Sequence, residues 1–168
     1  MHAAAQEPEF PPPSPEHELL KRFVGSWNAI GRCDGGPDAE PMTSEGTIES
    51  RLIGERWVEN RHRTDAGGFE VLGVQTIGYD PIKKKYVGTW VDTMQNHLWV
   101  YEGAFDDATQ TLTLNAEGPN PMAGGETALF RDAFRFTDRG TIVFTSQAQD
   151  ESGEWVEFMS SEATPADK

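Results

Sequence analysis

A chain of 168 residues, 36% hydrophobic and 10% aromatic, is long enough for one domain with a buried core. Its 28 acidic and 14 basic residues give a formal net charge of −14, which repels phosphate backbones and anionic lipid headgroups and makes nucleic acid and membrane surfaces poor partners. Cys33 is the only cysteine, so an intramolecular disulfide and a cysteine-rich metal site are excluded.

The beginning of the chain predicts a tail rather than a targeting segment. Four prolines fall within residues 1–13 without any periodic pattern, which is typical of a disordered or polyproline-like stretch. Neither a signal-peptide core nor an apolar run of about 18 residues, the length needed to cross a bilayer, occurs in the sequence. We therefore expect a soluble, cytoplasmic protein.

A short helix is predicted directly after this tail. Residues 14–16 combine a serine that can cap a helix, a proline suited to the first helical position and a glutamate suited to the positive end of the helix dipole. Leu19, Leu20 and Phe23 would form one apolar face, and Gly25 would end the helix. That face is expected to pack over another element.

From residue 26 onward the hydrophobic period is two, which predicts β-strands separated by turn residues such as Asp80-Pro81 and Ser152-Gly153. A meander of sequential antiparallel strands is most stable when it closes, because closure removes exposed edges. The predicted fold is an all-β, closed antiparallel up-and-down barrel of about eight to ten strands over residues 14–164, with a flexible C-terminus at 165–168. The candidate strands are 26–34, 43–53, 55–64, 69–79, 85–93, 97–105, 110–116, 127–137, 140–148 and 154–162.

Several predicted strands carry aromatic and polar side chains on one face. Alternation places His97, Trp99 and Tyr101 together, and it places Trp90 beside Asp92. An apolar core disfavours this mixture because an unpaired buried polar group costs about 1–3 kcal/mol, whereas a hydrated cavity tolerates it. Alternation does not say which face points inward, so outward-facing aromatics or an ordinary filled core remain alternatives.

Motifs along most of the chain resemble a known family. The tripeptide GSW at 25–27 is similar to the Gly-x-Trp motif of lipocalins and other calycin barrels. Further motifs are LKRFVGSW at 20–27, GYDP at 78–81, KKYVGTWVD at 84–92, HLW at 97–99, EG at 102–103, TLTL at 111–114, EGP at 117–119 and VFTS at 143–146. Together they resemble DUF1579, a bacterial family of unknown function. Over about residues 17–163 the resemblance implies a lipocalin-like barrel closed at one end by the N-terminal helix, with no established activity.

No cofactor or metal is expected. The related nitrobindin-like barrels bind haem through a histidine on a late strand, whereas here the last histidine is His97, which disfavours haem. His62 and His97 do not have the spacing of a zinc motif.

The main functional hypothesis is binding of a small, partly apolar organic molecule inside the barrel. The predicted lining is Trp90, Asp92, His97, Trp99 and Arg131, in which the aromatic rings supply contact area and the polar groups supply anchoring.

The alternative is an isomerase, lyase or hydrolase that uses a His/carboxylate pair, with Asp92, His97 and Glu117 as candidate catalytic residues. A purely structural or partner-binding domain with a filled interior is a third hypothesis. Barrels of this type often pair through an outer face, so a homodimer is also considered.

Overall fold

The computed structural model describes residues 10–34, 40–120 and 124–166. Ten strands in this part of the chain form a closed barrel. Every strand pairs antiparallel with its neighbours in the sequence, and the last strand pairs with the first to complete the barrel. This confirms the predicted closed up-and-down barrel. The strands are β1 (Gly25–Cys33), β2 (Met42–Ile53), β3 (Trp57–Asp65), β4 (Glu70–Asp80), β5 (Lys85–Asp92), β6 (Trp99–Asp106), β7 (Thr111–Pro119), β8 (Thr127–Phe136), β9 (Ile142–Gln149) and β10 (Trp155–Pro165).

The predicted helix is a 3₁₀ helix, Pro15–Phe23, that packs over one end of the barrel. Leu20 is fully buried and Phe23 is 3% exposed. The Phe23 ring lies edge-on to Phe134 and Phe136, with centroid distances of 5.6 and 5.0 Å. The indole Nε1 of Trp27 donates a 2.8 Å hydrogen bond to the Phe23 carbonyl. These contacts seal what we call the helix end of the barrel; the opposite end is the far end.

Parts of the predicted termini fall outside the described residues, namely 1–9 of the tail and 167–168 of the flexible C-terminus. Within the described part, the Pro11 carbonyl accepts a hydrogen bond from Arg56, and the Ala166 amide donates a 2.9 Å hydrogen bond to the Ser26 carbonyl. In the same part of the chain, no helix has both the length and the apolar character that a membrane crossing requires.

Two glycines let neighbouring strands of the barrel approach each other closely. Gly88 on β5 and Gly103 on β6 lie directly opposite Ile77 and Leu114 of the neighbouring strands. A Cβ at either glycine would overlap a backbone carbonyl of the adjacent strand. Only glycine permits this close approach of the adjacent strand at the two positions.

The structure settles which face of each strand points inward. Four inward-facing aliphatic side chains are fully buried at mid-height or in the half of the barrel nearer the helix: Val58 on β3, Ile77 on β4, and Leu112 and Leu114 on β7. Such side chains form a packed apolar core. Buried polar residues occur at the helix end, for example Ser50 and Thr141, and also at mid-height and toward the far end, where Asn60, Gln75 and Ser146 lie. The part from mid-height to the far end, which also carries Trp90 and Trp99, is the candidate site.

Candidate functional site

Three aromatic side chains line the far half of the barrel. Trp90 near the end of β5 is directly opposite Trp99 at the start of β6. The Trp99 ring lies edge-on to Phe130 of β8, with a centroid distance of 4.8 Å. Trp99 and Phe130 are 8% and 6% exposed, whereas Trp90 is half-buried. The rings form a continuous apolar wall.

Two glycines make room for this wall. A Cβ at Gly73 on β4 would overlap the six-membered ring of the Trp90 indole. A Cβ at Gly118 on β7 would come within 2.5 Å of Trp99 Cζ3 and within 2.7 Å of His97 Nε2. The indoles therefore occupy space that side chains at positions 73 and 118 would otherwise fill.

Asp132 places a carboxyl group among the aromatic residues of β8. The Tyr101 hydroxyl donates a 2.7 Å hydrogen bond to its Oδ2, and the Ser146 hydroxyl donates a 2.6 Å hydrogen bond to its Oδ1. Burial raises the pKa of the Asp132 carboxyl, an effect that the two donors oppose. Burial, together with the neighbouring Asp132, also raises the pKa of Tyr101, so its phenol stays a proton donor.

The opposite wall carries a pair of buried amides. Nδ2 of Asn60 on β3 donates a 3.0 Å hydrogen bond to Oε1 of Gln75 on β4, and the two residues are only 2% and 3% exposed. Oδ1 of Asn60 has no hydrogen-bond partner among the described residues. β3 and β8 are five strands apart in either direction around the barrel, so Asn60 faces the wall that carries Asp132.

His62, two residues beyond Asn60 on β3, also faces inward. Its ring lies edge-on to Trp90, with a centroid distance of 5.0 Å. Burial lowers its pKa to about 4, so the imidazole is neutral near pH 7. A neutral imidazole brings one hydrogen-bond donor and one acceptor into the site without adding charge.

Some inward-facing side chains of the far half keep accessible surface. His62 and Asp132 lie deep enough for burial to dominate the shifts of their pKa values, yet both keep part of their surface accessible, as does Trp90. Partial exposure of an inward-facing side chain is expected where it borders an internal space or lies near the end of the barrel. A ten-stranded barrel is also wider than the eight-stranded barrels that hold one small ligand.

Two surface pockets lie outside the barrel. One, of about 250 Å³, is bordered by outer-face residues such as Trp57, Val87 and Val100. The other, of about 450 Å³, lies between Phe10 and neighbouring residues of the N-terminal segment and the helix end. Neither pocket includes the predicted site residues.

Asp92 anchors an indole instead of a histidine. Its Oδ2 accepts a 2.8 Å hydrogen bond from Trp90 Nε1, and its Oδ1 accepts a 2.7 Å hydrogen bond from the Met94 amide. His97 lies in the following turn, with Nε2 3.3 Å from the carbonyl oxygen of Glu117 and its ring edge-on to Trp99. The hydrogen bonds of Asp92 and His97 thus go to different partners, in place of the pair that the sequence suggested.

Glu117 and Arg131 lie on the outer face of the barrel. The side chain of Glu117 is exposed, and only its backbone carbonyl contacts His97. The Arg131 guanidinium lies over the Trp155 ring, 3.9 Å from its centroid, on the opposite face of β8 from Asp132. The structure therefore replaces Arg131 with Asp132 as the charged residue of this strand that lines the interior.

The sequence analysis did not select Asn60, Gln75, Tyr101, Asp132 or Ser146 for the site, nor His62 for the cavity lining. A usable signal was present for Asp132, because alternation puts it on one face with Phe130 and two further phenylalanines, Phe134 and Phe136. That face had to be the buried one, so Asp132 was a better choice than its neighbour Arg131.

The described residues offer little for metal or nucleophilic chemistry. No group of three or more His, Cys, Asp or Glu side chains among them is arranged to hold a metal ion. Burial, and then the nearby Asp34, raise the pKa of the half-buried Cys33 thiol, which keeps it in the unreactive protonated form.

The family profile described as "Protein of unknown function (DUF1579)" matches residues 12–164. The chain belongs to the DUF1579 family. No curated protein matches this DUF1579 chain.

Solved structures show the same barrel. Rv2717c from M. tuberculosis matches with a TM-score of 0.67 and 10% sequence identity, covering 93% of this chain and 100% of that chain. The S-type phycobiliprotein lyase CPES from Guillardia theta matches with a TM-score of 0.61 and 11% identity, covering 91% and 93% of the two chains. At such identities the likeness establishes a common fold for this DUF1579 protein and these two barrels.

Proposed function

We propose that the far half of the barrel binds a small, partly apolar organic molecule. The observation that carries this proposal is the accessible surface of inward-facing residues deep in a closed barrel, above all His62, Trp90 and Asp132. A tightly packed core would leave less accessible surface on these side chains. An aromatic wall with a few convergent polar groups is the usual composition of a small-molecule site.

The roles of the lining residues follow from their positions. Trp90 and Trp99 supply flat apolar contact area, and Asp92 holds the Trp90 indole in place through its 2.8 Å hydrogen bond. Asn60 supplies an acceptor, Oδ1, that has no hydrogen-bond partner among the described residues, and Asp132 supplies a carboxyl group on the opposite wall. His97 closes the rim beside Trp99.

Binding is favoured over catalysis in this proposal. A general base needs a reachable partner that orients it. The Asp92 carboxylate instead accepts hydrogen bonds from Trp90, Met94 and Gln95, and His97 bonds to a backbone carbonyl. We also propose that the barrel works without haem. Nε2 of His97 is directed at the Glu117 carbonyl oxygen, and strands β7 to β10 contain no histidine.

A ligand screen followed by thermal unfolding tests the proposal. A compound at 100 times its Kd stabilises the folded state by about 2.7 kcal/mol, which raises the Tm of a domain of this size by roughly 5–10 °C. The panel should contain aromatic, lipid, flavin and haem compounds. Trp90→Ala should lose the response, and the outer-face control Arg131→Ala should keep it. The proposal would be overturned if no compound of the panel raises the Tm, or if the Tm increase is equal in Trp90→Ala and Arg131→Ala.

A further inference from the structure

The charges of the barrel are strongly segregated. Of the 14 basic residues, Lys168 falls outside the described part of the chain, which leaves thirteen. Twelve of these are exposed, and Arg131 is stacked on Trp155 at the outer face. The inward faces of β5 and β8 carry the carboxyl groups of Asp92 and Asp132, and His62 adds a neutral imidazole. The described interior thus holds acidic groups without a cationic partner.

We propose that the cavity selects an arylalkylamine, that is, a compound with an aryl ring and a basic amine nitrogen on an alkyl linker. It discriminates against carboxylates and phosphates of the same shape. This inference rests on the proposed function and adds the chemical class of the ligand. It combines the segregated charge with a separate observation, the Asn60 acceptor that has no partner within residues 10–34, 40–120 and 124–166.

Oδ1 of Asn60, which accepts no hydrogen bond from the described part of the chain, points to a hydrogen-bond donor on the ligand. Asn60 is 2% exposed, and its Nδ2 already donates to Gln75. A buried acceptor without a partner is costly, and a ligand N–H group would remove that cost. A carboxylate or phosphate oxygen has no proton to donate and would instead repel Oδ1.

Asp132 and the aromatic wall favour the same ligand. Tyr101 and Ser146 each satisfy one lone pair of the carboxylate, which leaves further acceptor capacity on both oxygens. A cation beside Asp132 would compensate for the burial that disfavours its ionised form. Trp90 and Trp99 add ring faces that attract a desolvated ammonium group. An anion would meet none of these interactions and would be buried without a counter-ion.

A matched series of three compounds isolates the charge of the ligand. Phenethylamine, hydrocinnamamide and hydrocinnamate share a phenyl ring and a two-carbon linker, but at pH 7 they are cationic, neutral and anionic, respectively. Isothermal titration calorimetry should give at least tenfold tighter binding for the amine than for the carboxylate, with the amide between them. In Asp132→Asn the preference for the amine should shrink, and in the outer-face control Glu117→Gln it should stay unchanged.

The outcomes separate this inference from the proposed function. Carboxylate binding as tight as amine binding would overturn the charge selection. So would the finding that none of the three compounds binds although another member of the wider panel does. If no member of the whole panel binds, the proposed function itself is overturned. If Asp132→Asn does not fold by circular dichroism, Asp92→Asn at the rim takes its place, and an unchanged amine preference there would contradict the inference.

Discussion

The Tyr101 hydroxyl donates a 2.7 Å hydrogen bond to the carboxyl group of Asp132 across the inside of the barrel. Tyr101 lies on β6 and Asp132 on β8, so the bond passes over β7 and links strands that share no backbone hydrogen bonds. The bond from Ser146 adds β9 to the same carboxyl group. One side chain therefore joins three strands at the mid-height of the barrel.

Replacing this phenol should weaken the fold. Tyr101→Phe leaves the Asp132 carboxyl with only one donor, and a buried group that loses a hydrogen-bond partner costs about 1–3 kcal/mol. The free energy of unfolding from urea titrations should fall by this amount. Tyr86→Phe is the matched control, because the Tyr86 hydroxyl donates to the carbonyl of Glu16 at the helix end rather than to a carboxyl group. An equal or larger loss in the control would contradict the special role of the Tyr101–Asp132 bond.

His62 should make the fold sensitive to acid. The pKa of His62 is lowered from 6.5 to about 4, so as the pH falls the unfolded chain takes up this proton before the folded protein does. The stabilising effect of the neutral form is therefore present above the unfolded value and is lost between about pH 6.5 and 4. A shift of this size corresponds to about 3 kcal/mol.

The difference in unfolding free energy between wild type and His62→Phe isolates this effect, because the carboxylates titrate in both proteins. Relative to the variant, the wild type should lose stability as the pH falls across that window. A difference that stays constant with pH would show that His62 takes up its proton equally in both states.

Asp132 should give the opposite slope. Its pKa is raised in the folded protein, so the folded state keeps its proton at a pH at which the unfolded chain has released it. Wild-type stability therefore falls as the pH rises from the ordinary aspartate range through the folded pKa. Asp132→Asn has no proton to lose, so its unfolding free energy relative to wild type should increase over that interval. If the unfolding free energy of Asp132→Asn relative to wild type falls as the pH rises, the raised pKa of Asp132 is contradicted.

Gly73 should be intolerant of even one added carbon. In Gly73→Ala the new Cβ overlaps the Trp90 indole, and forced repacking of this kind costs about 1–3 kcal/mol. Urea denaturation measures the loss, and near-ultraviolet circular dichroism reports the displaced indole. In a Trp90→Leu background the same substitution should cost much less. A cost that is unchanged by the removal of the indole would mean that the clash lies elsewhere.

The barrel itself was predictable from the sequence. Period-two alternation and turn residues such as Asp80-Pro81 are local signals, and the structure contains every predicted strand with each end displaced by at most three residues. Closure followed from the physical cost of exposed edges in a meander. The 3₁₀ geometry of the Pro15–Phe23 helix was not foreseen, because capping and apolar spacing do not distinguish it from a short α-helix.

The site was only partly predictable, because it depends on which groups compete for a hydrogen bond. Asp92 and His97 were close enough in sequence to meet, but the Trp90 indole and the Met94 amide bond to the carboxylate. Alternation put Arg131 and Asp132 on opposite faces without naming the inner one, and the accompanying phenylalanines were the signal that decides it. The Asn60–Gln75 pair requires the register of β3 on β4, which no local pattern provides.

The helix end is also where the polypeptide enters and leaves the barrel. Phe10 and Pro11 lie beside Arg56 at that end, and Ala166 is hydrogen-bonded to Ser26 there. Any fusion partner, affinity tag or sensor-chip linkage attached before residue 10 or after residue 166 therefore starts from the side remote from Trp90 and Trp99. Immobilisation through either terminus should accordingly leave the far end unobstructed, so the proposed ligand should bind with the same affinity in both orientations.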